Sequence, residues 1–126
     1  MTTATQSKTI LIAEDQDVLR KLLALVLTQQ GYTVLQALGG VHAVMIAEEY
    51  VSDIHLLITD IVMPDLTGRE VAIQILEKRP DTQVLYMSGH DQRVLKEIPL
   101  DPRFVLLRKP LDLHSLTLQV QLLIGS

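Results

Sequence analysis

Five polar side chains stand at the ends of apolar runs in this chain. Glu14 and Asp15 follow Ile10-Leu11-Ile12-Ala13, and Asp60 ends Leu56-Leu57-Ile58-Thr59. Ser88 follows Val84-Leu85-Tyr86-Met87, and Lys109 comes soon after the run from Phe104 to Leu107. A carboxylate leaving an apolar segment is either desolvated at a cost or held by a cation and donors. Three converging carboxylates repel one another, and hard oxygen ligands of this kind suit Mg²⁺, which keeps several waters and bridges to phosphate oxygens. Carboxylate, dication, hydroxyl and lysine together fit phosphoryl transfer. Asp60 would attack phosphorus and form an aspartyl phosphate. Mg²⁺ and Lys109 would offset charge on the equatorial oxygens, and Ser88 would donate a hydrogen bond to one of them.

Each residue alone has a plainer reading. Glu14-Asp15 could be a solvated strand end and helix cap, Asp60 with Pro64 a strand–turn exit, Ser88-Gly89 a turn, and Lys109 a surface lysine. The order favours the joint reading: acid, acid, hydroxyl, lysine at the ends of the first, third, fourth and fifth apolar runs.

Those runs must be held side by side. Between them the spacing predicts helices. Val18, Leu19, Leu22, Leu23, Val26 and Leu27 mark one helical face, with Asp17 as its cap and Gly31 as its close. Tyr32-Thr33-Val34-Leu35 reads as a second strand, and residues 41–50 as a helix with Val44, Ala47 and Val51 inward. Val71, Ala72, Ile75 and Leu76 define a third helix, residues 91–97 a short fourth, and Leu113, Leu116, Val120 and Leu123 the last. Strands alternating with helices over short loops imply a parallel α/β sheet with right-handed crossovers and helices on both faces. Strands that are apolar throughout fit that burial. In such sheets ligands bind at the carboxyl ends of the strands.

At 126 residues the chain is expected to form one domain, residues 9–126, behind a flexible polar tail, residues 1–8. Hydrophobic residues make up 48% and aromatics 3%, so the core must be aliphatic. No apolar run reaches the ~18 residues of a membrane span. Cysteine is absent, which excludes thiolate metal sites and fits a cytoplasmic setting. A net charge of −4 without a Lys/Arg stripe argues against direct nucleic-acid binding.

The motifs Ile-Leu-Ile-Ala-Glu-Asp, Leu-Ile-Thr-Asp-Ile-Val-Met-Pro-Asp-Leu-Thr-Gly, Val-Leu-Tyr-Met-Ser-Gly and Leu-Leu-Arg-Lys-Pro-Leu, in this order, resemble the receiver domain of two-component response regulators. The resemblance covers residues 9 to about 124. It implies a doubly wound, flavodoxin-like (βα)5 fold with strand order 2-1-3-4-5. It implies Asp60 as phosphoacceptor, Asp15 as a direct Mg²⁺ ligand, Glu14 acting through a metal-bound water, and the Val62 backbone carbonyl as a further ligand. Ser88 would be the switch hydroxyl, Lys109 the partner of the phosphoryl group or of Asp60, and Pro110 the proline that usually follows through a cis bond. Gly68 closes the acceptor loop. The implied function is a signalling switch, not a turnover enzyme, phosphorylated by a histidine kinase or histidine phosphotransfer protein and read by a downstream protein. That reader would contact the fourth helix, the fifth strand and the last helix.

The chain departs from the family at Leu106, where an aromatic usually stands; Phe104 lies two residues earlier, on the same face of a strand. Met-Ser-Gly-His and Thr-Gly-Arg-Glu look like receivers of hybrid sensor histidine kinases. The last helix runs to the end of the sequence, so a free-standing or excised receiver is expected. Leu118 and Leu122 lie off its inward face and suggest a protein-contact or homodimer surface. Three alternatives compete. A degenerate receiver would bind partners without phosphorylation. A phosphohydrolase would want an acid/base Asp where Val62 stands. An FMN binder would want a phosphate loop where Glu14-Asp15-Gln16-Asp17 stands.

Overall fold

The computed structural model describes residues 7–89 and 105–125. Within them β1 (Thr9–Ala13), α1 (Asp17–Gln29), β2 (Thr33–Ala37), α2 (Gly40–Glu49), β3 (Leu56–Asp60), α3 (Gly68–Lys78), β4 (Gln83–Ser88), β5 (Val105–Arg108) and α4 (Leu113–Ile124) follow in order. The expected helix over residues 91–97, and Phe104, lie outside the described residues. The strands form one parallel sheet in the order β2-β1-β3-β4-β5, as expected.

Every residue of β1 and β3 is buried, because these strands have neighbours on both sides and helices on both faces. Side chains alternate between the faces. Ile10, Ile12, Leu56 and Ile58 join Leu23 and Leu27 of α1 and Leu116 and Val120 of α4. Leu11, Ala13 and Leu57 join Ala43 and Ala47 of α2 and Val71, Ala72 and Ile75 of α3. Full burial of each Leu, Ile or Val side chain among them contributes about 1.5–3 kcal/mol. Two cores on one sheet are what the continuous apolar strands required.

The inward face of α1 differs from expectation. Arg20, Leu23, Ala24 and Leu27 are buried, whereas Val18 is 83% exposed and Leu22 is exposed. Apolar residues surround most of this helix, so periodicity alone left its rotation open. Asp17 is not the cap. Gln16 holds that position without a side-chain bond, and Asp17 lies in the first turn, paired with Arg20 at 2.6 Å. Gly31 does close the helix, with φ +101. Tyr32 precedes β2 and packs into the α1/α4 core. Val51, expected inward, is 98% exposed because α2 ends at Glu49 and the chain turns outward. Leu118 and Leu122 are exposed, as expected of an outer face.

Candidate functional site

The carboxyl ends of β1, β3, β4 and β5 lie along one edge of the sheet, and the site is built from the residues just past them. The Glu14 N–H donates to the Ala37 carbonyl at 3.2 Å, which continues the β1–β2 pairing by one residue and keeps Glu14 fully buried. Asp60 is the last residue of β3 and stands opposite Met87. Beyond β5, the Lys109 N–H donates to the Ser88 carbonyl at 2.8 Å, so strand pairing carries the lysine to the end of β4.

These placements bring the charges together. Lys109 Nζ donates to Glu14 Oε1 at 2.6 Å and to Asp60 Oδ2 at 2.9 Å. Carboxylate oxygens of Glu14, Asp15 and Asp60 lie within 4.8 Å of one another. Asp15 is exposed and the other two are buried. Among the described residues, Asp60 Oδ1 accepts a long bond, 3.4 Å, from the Val62 N–H. Burial pushes the Glu14 carboxyl above its ordinary range, against the pull of the Gln16 N–H and of Lys109. Burial works against the Lys109 ammonium, but its bonds to Glu14 and Asp60 outweigh it and hold the pKa above the ordinary value.

A cleft of about 450 Å³ opens beside these groups, lined by Asp15, Gln16, Asp60, Val62, Met63, Pro64, Gly89 and Lys109. Ser88 is buried at the end of β4, next to Gly89. Gly68 begins α3, and a Cβ there would lie 2.4 Å from the Asp60 carbonyl oxygen, so only glycine fits. The Lys109–Pro110 bond is cis. Leu106 is half-buried on β5, paired with the fully buried Tyr86 of β4. The edge thus unites Glu14, Asp15, Asp60 and Lys109, lines the cleft with Val62, and sets Ser88 on the adjoining strand end.

The donor set fits a hard dication. Among the described residues three carboxylates face one ammonium at this edge, and all three offer oxygen ligands.

Comparison with known proteins decides what this edge belongs to. The response regulator receiver domain model matches residues 10–121. This chain belongs to the response regulator receiver family. Receiver domains are the phosphoacceptor signalling modules of two-component systems; they bind Mg²⁺ in an acidic pocket and interact with histidine kinases and downstream partners. The sensor kinase CckA of Brucella abortus is 32% identical over 91% of this chain, which spans 12% of that protein. The response regulator receiver protein CpdR of the same organism is also 32% identical, over 90% of this chain and 94% of its own length. The crystal structure of the receiver domain from the hybrid histidine kinase CckA superposes with a TM-score of 0.80 at 31% identity, covering 92% of this chain and 98% of that one. A receiver protein from Sinorhizobium medicae gives 0.84 at 26% identity, covering 96% and 97%.

The receiver holds three residues that sequence reasoning did not single out. Arg20 is buried, donating from Nη1 to the Glu14 carbonyl at 3.1 Å beneath the site. Its signal was the i,i+3 pairing with Asp17. Asp65 bonds the start of α2, and Arg79 bonds the end of it. Neither has a local signal, because both partners are distant in sequence. The start of α3 is a fourth such feature: Thr67 and Glu70 form a capping box, a local S/T-x-x-E signal that the sequence reading did not use.

Proposed function

We propose that this receiver takes a phosphoryl group onto Asp60 from the phosphohistidine of a histidine kinase or histidine phosphotransfer protein, with Mg²⁺ as cofactor. The observation that carries the reading is the convergence of Glu14, Asp15 and Asp60 within 4.8 Å around an ammonium bonded to two of them. Asp15, Asp60 and the Val62 carbonyl would hold Mg²⁺ directly and Glu14 would act through a metal-bound water. Mg²⁺, when bound, supplies neutralising charge for the phosphoryl oxygens.

Asp60 Oδ1 is the less engaged oxygen and attacks phosphorus. An O–P bond forms as the P–N bond breaks, and the electron pair leaves on the donor imidazole nitrogen. Lys109 keeps its charge and transfers one hydrogen bond from Asp60 to a phosphoryl oxygen, while Ser88 donates to another. The new bonds draw the end of β4 inward and shift the population of the surface around β5 and α4, with Leu106 beside Tyr86 on that route. A downstream protein reads this surface, and exposed Leu118 and Leu122 offer a place for a second copy. The domain spans residues 9–126 behind a polar tail, works in the cytoplasm without contacting nucleic acid, and performs no turnover chemistry on other molecules. Likeness to both a hybrid kinase receiver and CpdR supports a place in a phosphorelay.

Incubation with Mg²⁺ and a small phosphodonor, followed by intact-mass measurement, tests the reading. Wild type gains one phosphoryl group, Asp60→Asn gains none, and omission of Mg²⁺ abolishes uptake. Equal uptake by Asp60→Asn would sink the nucleophile assignment. No uptake by wild type would favour a phosphorylation-independent binding module.

A further inference from the structure

The loop that follows Asp60, residues 61–67, carries Val62 and Met63 to the wall of the cleft. One end of it is fixed by Gly68, whose N–H donates to the Ile61 carbonyl at 2.7 Å and whose Cα faces the Asp60 carbonyl. The other restraint comes from Asp65. Its Oδ1 accepts from the Gly40 N–H at 3.0 Å and from the Leu66 N–H at 2.8 Å, and its Oδ2 accepts from the Val41 N–H at 2.8 Å. A single carboxylate thereby joins the loop to the first turn of α2, a helix that contributes no side chain to the cleft. The contact is close: a Cβ on Gly40 would lie 2.6 Å from Leu66 Cβ and 3.0 Å from Val71 Cγ2. The orphan N–H groups and dipole of a helix start favour a carboxylate there. The hydrogen bond from the Val41 N–H, foremost, holds the Asp65 carboxyl below its ordinary range.

We propose that Asp65 is a positioning residue of the phosphoryl-transfer site: by bridging the N-terminus of α2 to the acceptor loop, it sets where Val62 faces the metal position. The proposal rests on the function put forward above. It makes the first turn of α2, remote from the chemistry, a determinant of metal affinity.

The test compares wild type, Asp65→Ala, Asp65→Asn and Asp112→Ala by amide hydrogen exchange and by calorimetric titration with Mg²⁺. Asp65→Ala is expected to lose protection at Gly40, Val41 and Leu66 and to bind Mg²⁺ about tenfold more weakly, the scale of a residue that orients a metal ligand. Asp65→Asn keeps one acceptor oxygen and falls between; it carries the comparison if the alanine variant fails to fold. Asp112→Ala loses the α4 cap, a carboxylate and some stability but keeps wild-type Mg²⁺ affinity, which separates positioning from general weakening. Unchanged Mg²⁺ affinity in both Asp65 variants overturns the proposal. So does a loss that disappears at high salt, because it marks long-range charge alone. A wild type that binds no Mg²⁺ overturns the function itself, and the wild-type titration alone shows it.

Discussion

The two ends of the sheet treat charge in opposite ways. At the amino end, Arg79 donates to the Ala47 carbonyl from Nε at 3.3 Å and from Nη2 at 3.1 Å, to Tyr50 at 2.6 Å and to Ser52 at 2.8 Å. These are carbonyls at and just past the C-terminus of α2, where a cation is favoured. Thr82 Oγ1 donates to the Ile54 carbonyl at 2.7 Å, and the Thr9 N–H to His55 Nδ1 at 3.0 Å. At the carboxyl end, ionised groups face one another, and one ammonium serves two of three carboxylates. Cavity size does not separate the ends: a groove of about 470 Å³ beside Arg79 matches the cleft of about 450 Å³ beside Asp60. The difference lies in what is left over. Arg79 spends its charge on neutral carbonyls and ties elements together. The acidic edge keeps an excess of negative charge at an open cleft, which is the condition for binding a cation and a phosphoryl group.

Cutting each end separately tests this contrast. Lys109→Met strips the ammonium from two buried carboxylates and is expected to cost about 3 kcal/mol of stability, since breaking a buried pair leaves charge uncompensated. Urea unfolding with and without Mg²⁺ checks it, and Mg²⁺ recovers part of the loss. If the loss is the same with and without Mg²⁺, the carboxylates are not the metal site.

Arg79→Ala removes the clamp on α2 and is expected to cost about 2 kcal/mol, with hydrogen bonds to a charged donor lost but the carbonyls reachable by water. Mg²⁺ affinity and phosphoryl uptake stay at wild-type levels. A parallel fall in Mg²⁺ affinity would break the comparison by showing that the ends are coupled.

The smallest effect is that of pH on Glu14. Its pKa is raised by burial, so the folded state binds its proton more tightly than the unfolded chain does. Its favourable contribution is therefore present below the ordinary value of 4.5 and is lost as pH rises through the folded value. Without Mg²⁺, Glu14→Gln should gain stability relative to wild type across that rise. A difference that is flat with pH would assign the shift elsewhere.

Much of the acidic edge was legible because it needs only short-range signals: apolar runs that end in Glu14-Asp15, Asp60, Ser88 and Lys109, in that order. The amino end was not. Arg79 reaches residues about thirty positions away, and nothing in its neighbourhood marks it. The rotation of α1 also escaped, because Val18 and Leu22 are as apolar as Leu23 and Leu27, and only contact with the sheet selects between them.

The sequence by itself determined the alternation of strands and helices, the aliphatic double core, and the residue types at each strand end. These follow from hydrophobic periodicity and backbone preference, which are local. Only the tertiary structure decided that Lys109 bonds both Glu14 and Asp60, that Asp65 fastens the acceptor loop to α2, and that Gly68 lies against the Asp60 carbonyl. Each of these joins residues brought near by strand pairing and helix packing, and distance in space is not a property of any one stretch of chain.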